Sequence, residues 1–121
     1  MTARIRLPAR RLSVTISPTL TSPTLGRATA QITLGHDSAG ALREVWVDVH
    51  KEGAILRGLL STLGRLASLA LQHGASAAEV AHSLRHEAGS PGDVVGHETI
   101  RDATSLPDLV AQVIEADGAA S

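Results

Sequence analysis

Arg27-Ala28-Thr29-Ala30-Gln31-Ile32-Thr33-Leu34 alternates between apolar and polar residues without a break, and Glu44-Val45-Trp46-Val47-Asp48-Val49-His50 does so again after a short interval. A period of two sends successive side chains to opposite faces, so each run predicts a strand with one dry and one wet face. Ala28, Ala30, Ile32 and Leu34 form the dry face of the first; Val45, Val47 and Val49 form that of the second. The interval contains His36-Asp37-Ser38-Ala39-Gly40. Asp accepts backbone N–H groups and Gly adopts left-handed conformations, so this is turn chemistry. Together the three segments predict an antiparallel hairpin.

Upstream, Leu12, Val14 and Ile16 alternate with Ser13 and Thr15, as in a half-buried strand. A duplicated tetrapeptide follows, Ser17-Pro18-Thr19-Leu20 and Ser22-Pro23-Thr24-Leu25. Its prolines read as a loop or extended linker. Residues 1–11 contain Arg4, Arg6, Arg10 and Arg11 and no acid, forming a basic N-terminal arm to a single domain over 12–117. Residues 118–121 read as a disordered tail.

Downstream of Gly53 the period becomes helical. Leu56, Leu59, Leu60, Leu63, Leu66, Ala67, Ala70 and Leu71 cover a wide face, which predicts the core helix of the domain, stopping at His73-Gly74. Ser76-x-x-Glu79 is a capping box that opens a second helix with Val80, Ala81 and Leu84 inward. Gly89-Ser90-Pro91-Gly92 breaks it. A third helical region begins near Thr99 and restarts at Ser105-x-x-Asp108, with Pro107 in the first turn and Leu109, Val110, Val113 and Ile114 as its apolar stripe. Strands first and helices after indicate an α+β fold, a small antiparallel sheet of two or three strands followed by three helices packed on one face.

Composition narrows the chemistry. The 121 residues suffice for one domain and contain no cysteine, which excludes disulfides, thiolate zinc, iron–sulfur clusters and thiol catalysis. Trp46 is the only aromatic residue, so stacking platforms for bases are nearly absent. A net charge of −1 gives no global attraction to nucleic acid or an anionic membrane. The apolar run Ala54 to Leu71 is interrupted by Arg57, Ser61, Arg65 and two glycines and reads as a core helix, not a membrane span. No secretory apolar region follows Met1, so a cytoplasmic location is expected.

Three sets of residues invite a functional reading. His82 and His86, four apart on the second predicted helix, could present two rings to a metal, with His73 or His97 as a third ligand; a solvated polar face accounts for them more simply, and no metal is expected. Asp48, His50 and Glu52 project to one side of their strand, as acid–base groups or as a wet face opposite the valines. No Gly-x-Ser-x-Gly elbow or phosphate-binding glycine loop is present, and no cofactor is expected. Trp46 stands on the polar side of its strand, where an indole marks a contact surface or packs beneath a neighbouring element. With Arg4, Arg6, Arg10 and Arg11 it forms the candidate partner contact.

At Thr104-Ser105-Leu106-Pro107-Asp108 the sequence resembles the signature of the TSCPD domain, Thr-Ser-Cys-Pro-Asp, with Leu106 in the cysteine position. Glu44 to Ala54 resembles the hairpin exit in the C-terminal part of adenosylcobalamin-dependent ribonucleotide reductases. Leu59 to Gly74 is similar to the leucine-rich helix that follows there, and Val95 to Ser105 to the lead-in of the last helix. Arg6-Leu7-Pro8-x-Arg10-Arg11 is similar to the arginine-rich segment before that region. The resemblance implies a common fold and ancestry. It also implies cysteine-based chemistry and a metal role for paired cysteines, whose matching positions here are Ala88 and Leu106. The chain therefore reads as a stand-alone, cysteine-free relative, not catalytic by itself. Its expected role is an accessory or interaction module in deoxyribonucleotide synthesis, binding a protein partner or a second copy. The alternative is a structural subunit of a larger assembly, using the arm and the Trp46 face.

Overall fold

A computed structural model describes residues 3–5, 7, 12–50 and 53–120. Lys51, Glu52, Arg6, Arg10 and Arg11 lie outside the described residues. The order is β1 (Ser13–Ile16), β2 (Thr19–Ser22), β3 (Gly26–His36), β4 (Leu42–His50), α1 (Ala54–Gln72), α2 (Ala77–Leu84), β5 (Gly92–Val95), β6 (Asp102–Ala103) and α3 (Leu106–Ala120). The α+β class is as the sequence indicates. Among the described residues, however, the antiparallel sheet has six strands, more than the two or three expected.

The hairpin of β3 and β4 is the frame. Thr29 through Leu34 pair with His50 through Val45, with a register shift between Gly35 and His36. Asp37 makes the turn: its Oδ1 accepts the N–H groups of Ala39 and Ala41, and its Oδ2 accepts Arg43 Nε at 3.0 Å. Arg43 is the main reason that this carboxyl titrates below its ordinary range.

The proline repeat is strand and turn, not linker. β1 pairs with the second half of β3 and β2 with the first half, in one common register interrupted at Ser17-Pro18. Pro18 falls at the interruption and Pro23 in the turn back to β3, where no ladder N–H is required. Leu20 of β2 then faces Val94 of β5, and β5 pairs with β6, two short strands that no clear alternation announces.

The centre of the core also differs from expectation. Leu109, Val110, Ala111, Val113 and Ile114 of α3 are all essentially solvent-free and join Ala28, Ala30, Ile32, Leu34, Val45 and Val49 in one cluster. α1 instead runs along the free edge of β4. Its buried side includes Gly64, Ser68 and Gln72, while Leu59 and Leu66, expected inward, are exposed and Leu63 is only partly buried. Ser68 Oγ accepts the Val45 N–H at 2.8 Å and donates to the Val45 carbonyl at 3.0 Å; Gln72 Nε2 donates to the Arg43 carbonyl. These contacts occupy backbone groups that an uncovered edge strand would leave open to a foreign strand.

Gly64 makes that approach possible. A Cβ there would lie 2.9 Å from the Val45 carbonyl oxygen and 3.2 Å from Val47 N, whereas one on Gly58 would meet nothing within 4 Å. Gly→Ala in an exposed helix interior gains up to about 1 kcal/mol from backbone entropy. Gly58→Ala is therefore expected to raise stability and Gly64→Ala to lower it, measured by urea denaturation. Two changes of the same sign would contradict the close packing of α1 on β4.

α1 ends as expected, with Gly74 at a φ of 105° beyond His73. α2 carries the complete Ser76–Glu79 capping box, in which the Ser76 N–H holds the Glu79 carboxylate below its usual range. Helical backbone in α3 runs through Ala120, past the boundary at 117 that the sequence suggests.

Candidate functional site

The wet face of the hairpin meets the first turns of α1 in an open groove of about 610 Å³. Trp46 contributes an indole that is 46% exposed, and Thr33, its cross-strand partner, stands beside it. Gln31 and Asp48 form the next rung, while Arg57, Gly58 and Ser61 supply the α1 wall. Arg57 Nη2 donates to Asp48 Oδ1 at 3.4 Å, and both side chains are about half exposed. Such a pair contributes little to stability and is free to regroup around a partner. The groove thus combines an apolar plate with separable opposite charges and amide and hydroxyl groups, a composition suited to a protein surface. Alternation alone places Gln31 and Thr33 on this face, but Arg57 and Ser61 escape a sequence reading that follows only the leucines of α1.

Arg4 and Ile5 approach a different place. Arg4 Nε donates to Gln72 Oε1 at 2.5 Å, and the Ile5 N–H donates to the Gln72 carbonyl at 2.7 Å. Gln72 closes α1, roughly 16 Å along the helix from Ser61 at the end of the groove wall. Arg4 therefore belongs to the far end of α1 and not to the groove.

The Thr104–Asp108 signature forms the entry to α3. Asp108 is 1% exposed. Its Oδ1 accepts Arg85 Nη1 at 2.6 Å and the His86 N–H at 2.7 Å; its Oδ2 accepts the Thr104 N–H at 3.0 Å and Gln112 Nε2 at 3.1 Å. Ser105 Oγ in turn accepts the Asp108 N–H. Burial by itself raises the Asp108 pKa, but the His86 and Thr104 amides and the Arg85 guanidinium outweigh it and hold the value down to about 2. This carboxylate ties the end of α2 to the start of α3, and Arg85 continues the tie to Glu115 at 3.1 Å.

Ala88 and Leu106 lie on neighbouring segments: Thr104 Oγ1 donates to the Glu87 carbonyl, and the Ser90 N–H donates to the Thr104 carbonyl. Ala88 is exposed and Leu106 is buried. Neither side chain has a donor atom, and Asp108 beside them is fully engaged. These residues do not fit a thiolate metal site.

The remaining candidates are dispersed. α2 stops at Leu84 and His86 takes a φ of 66°, so His82 and His86 do not share one helical face. His73 lies beyond the end of α1, and His97 Nδ1 accepts the N–H groups of Thr99 and Ile100 within its own turn. Among the described residues no group of three or more His, Asp or Glu side chains is gathered for a metal. His50 Nε2 lies 3.4 Å from Gln31 Oε1 on the wet face near Asp48; Glu52 is outside the described residues.

The TSCPD domain family profile matches residues 4–117. A vitamin B12-dependent ribonucleotide reductase of Agrobacterium fabrum is 32% identical over 108 residues, covering 88% of this chain and 8% of the relative. Its counterpart in Bradyrhizobium diazoefficiens is 32% identical over 111 residues, 91% of this chain and again 8% of the relative. The chain thus spans a small fraction of the curated relatives it matches. No solved structure matches it.

Proposed function

The chain belongs to the TSCPD domain family, and from that premise we propose that it serves as a non-catalytic accessory module that binds a protein partner through the Trp46 groove. The observation that carries this reading is the division of labour within the fold. The signature residues are consumed in holding α2 to α3, with alanine and leucine at the positions that the family resemblance assigns to cysteine. The groove, by contrast, leaves its only aromatic half exposed beside a loosely paired Asp48 and Arg57. The relatives suggest the partner class, a vitamin B12-dependent ribonucleotide reductase chain, and with it a cytoplasmic role in deoxyribonucleotide synthesis.

Trp46→Ala tests this reading. An aromatic anchor at the centre of an interface contributes about 2 kcal/mol or more. Binding of the chain to a purified reductase large chain, followed by interferometry, is expected to weaken at least tenfold while circular dichroism is unchanged. Equal binding by wild type and variant, or none by either, would remove this groove as the contact.

A further inference from the structure

α1 is apolar on two opposite sides. One is spent on β4, and the other has no cover among the described residues. Ile55 is 82% exposed, Leu59 63%, Leu66 62% and Leu69 41%. Their spacing of four, seven and three residues, with Thr62 dividing the seven into three and four, places all five on one stripe. Leu59 and Leu66 also form the lip of an apolar depression of about 410 Å³ between α1 and α2, floored by Leu63, Val80 and Leu84.

We propose that this stripe pairs with the same stripe of a second copy, the two α1 helices antiparallel about a two-fold axis at Thr62. Closed two-fold contacts demand a surface complementary to itself. The stripe meets that demand: with Thr62 at the centre, Ile55 faces Leu69 of the other copy, and Leu59 faces Leu66 to within one residue. Arg57 and Arg65 are the only charged side chains on α1. Arg65 stands on the flank of the stripe, and its guanidinium donates to Thr62 Oγ1 at 3.0 Å and Ser61 Oγ at 3.3 Å, so pairing requires the two guanidinium groups beside the axis to turn outward into solvent, which their exposed position allows.

Area supports a second copy. The four exposed residues present roughly 450 Å² of apolar surface, within the range of a monomer's largest patch. Pairing two such patches removes up to roughly 900 Å², and the flanking depression between α1 and α2 brings the contact to the floor of about 1,000 Å² for a specific interface. The Trp46 groove uses Ala54, Arg57, Gly58 and Ser61 on another side of α1, so the pairing leaves it open.

The test is the particle mass from sedimentation equilibrium of the full chain at micromolar to millimolar concentration. The wild type is expected to reach twice the chain mass, and Leu59→Glu with Leu66→Glu to weaken association at least tenfold. Because both positions are solvent-exposed, circular dichroism should be unchanged. The chain has no cysteine, so single cysteines report the geometry. A short bismaleimide should join Thr62→Cys copies efficiently and Ile55→Cys copies poorly, the latter being roughly 21 Å apart along the helices. A monomeric wild type, a dimer that survives the double glutamate variant, or equal cross-linking from both positions would overturn the proposal. A dimer dissolved by Trp46→Ala alone would assign self-association to the groove instead.

Discussion

Asp108→Ala is expected to cost about 3 kcal/mol or more in urea denaturation, the order observed when one partner of a buried charge pair is removed. The carboxylate accepts from Arg85, the His86 and Thr104 amides and Gln112, and its truncation leaves these donors facing a methyl group. Arg85 is partly exposed and regains water; the two amides account for much of the loss. Asp108→Asn keeps the shape but replaces one acceptor with a donor, so its cost is similar in kind. A loss below about 1 kcal/mol for both variants would show that the signature does not lock α2 to α3.

The same carboxylate sets an acid limit. Its pKa is lowered from the ordinary 3.8 to about 2 in the folded chain. A depressed carboxyl pKa contributes stability above the unfolded value, and that contribution is lost as pH falls toward the folded one. The shift corresponds to roughly 2 kcal/mol, lost between about pH 4 and pH 2. Asp108→Asn should lack this part of the acid slope while retaining the parts due to Asp37 and Glu79, whose carboxyls are also lowered. Identical slopes for wild type and variant would contradict the assignment.

Leu109→Ala is the second large effect. Leu109 is solvent-free in the middle of the cluster joining α3 to the sheet, and emptying such a site costs about 2–5 kcal/mol. Leu63→Ala should cost less than half as much, because Leu63 is only partly buried. The comparison distinguishes the two helices as centre of the core. A greater loss at Leu63 than at Leu109 would return that place to α1.

Much of the fold is legible where one physical requirement acts alone. Strict alternation marks β3 and β4 because each has one dry face; Ser76 and Glu79 mark α2 because an open helix end needs two reciprocal bonds. Thr104 to Asp108 is legible both as a helix start and as a family signature. The sequence misleads where two requirements compete. Hydropathy counts the leucines of α1 but cannot tell which of two apolar sides is packed. The side against β4 is chosen by Gly64, Ser68 and Gln72, since an open strand edge offers carbonyls and N–H groups that small and polar residues satisfy. Pro18 and Pro23 hide β2 because the residues flanking a strand are read as if they lay within it. β5 and β6 are too short to carry a period. The groove is half legible for the same reason: Trp46 and Gln31 follow from alternation, whereas Arg57 and Ser61 become its wall only once α1 lies on the edge of β4.

The most direct test of the division between a structural signature and an interacting groove is a nuclear magnetic resonance titration of the isotope-labelled chain with an unlabelled vitamin B12-dependent reductase large chain. The expected result is selective perturbation or broadening at the Trp46 indole N–H and at the Gln31, Thr33, Arg57, Gly58 and Ser61 amides, with Thr104 to Asp108 unaffected. Perturbation centred on Ala88, Leu106 and Asp108 with the groove unchanged, or no perturbation at saturating reductase, would contradict it.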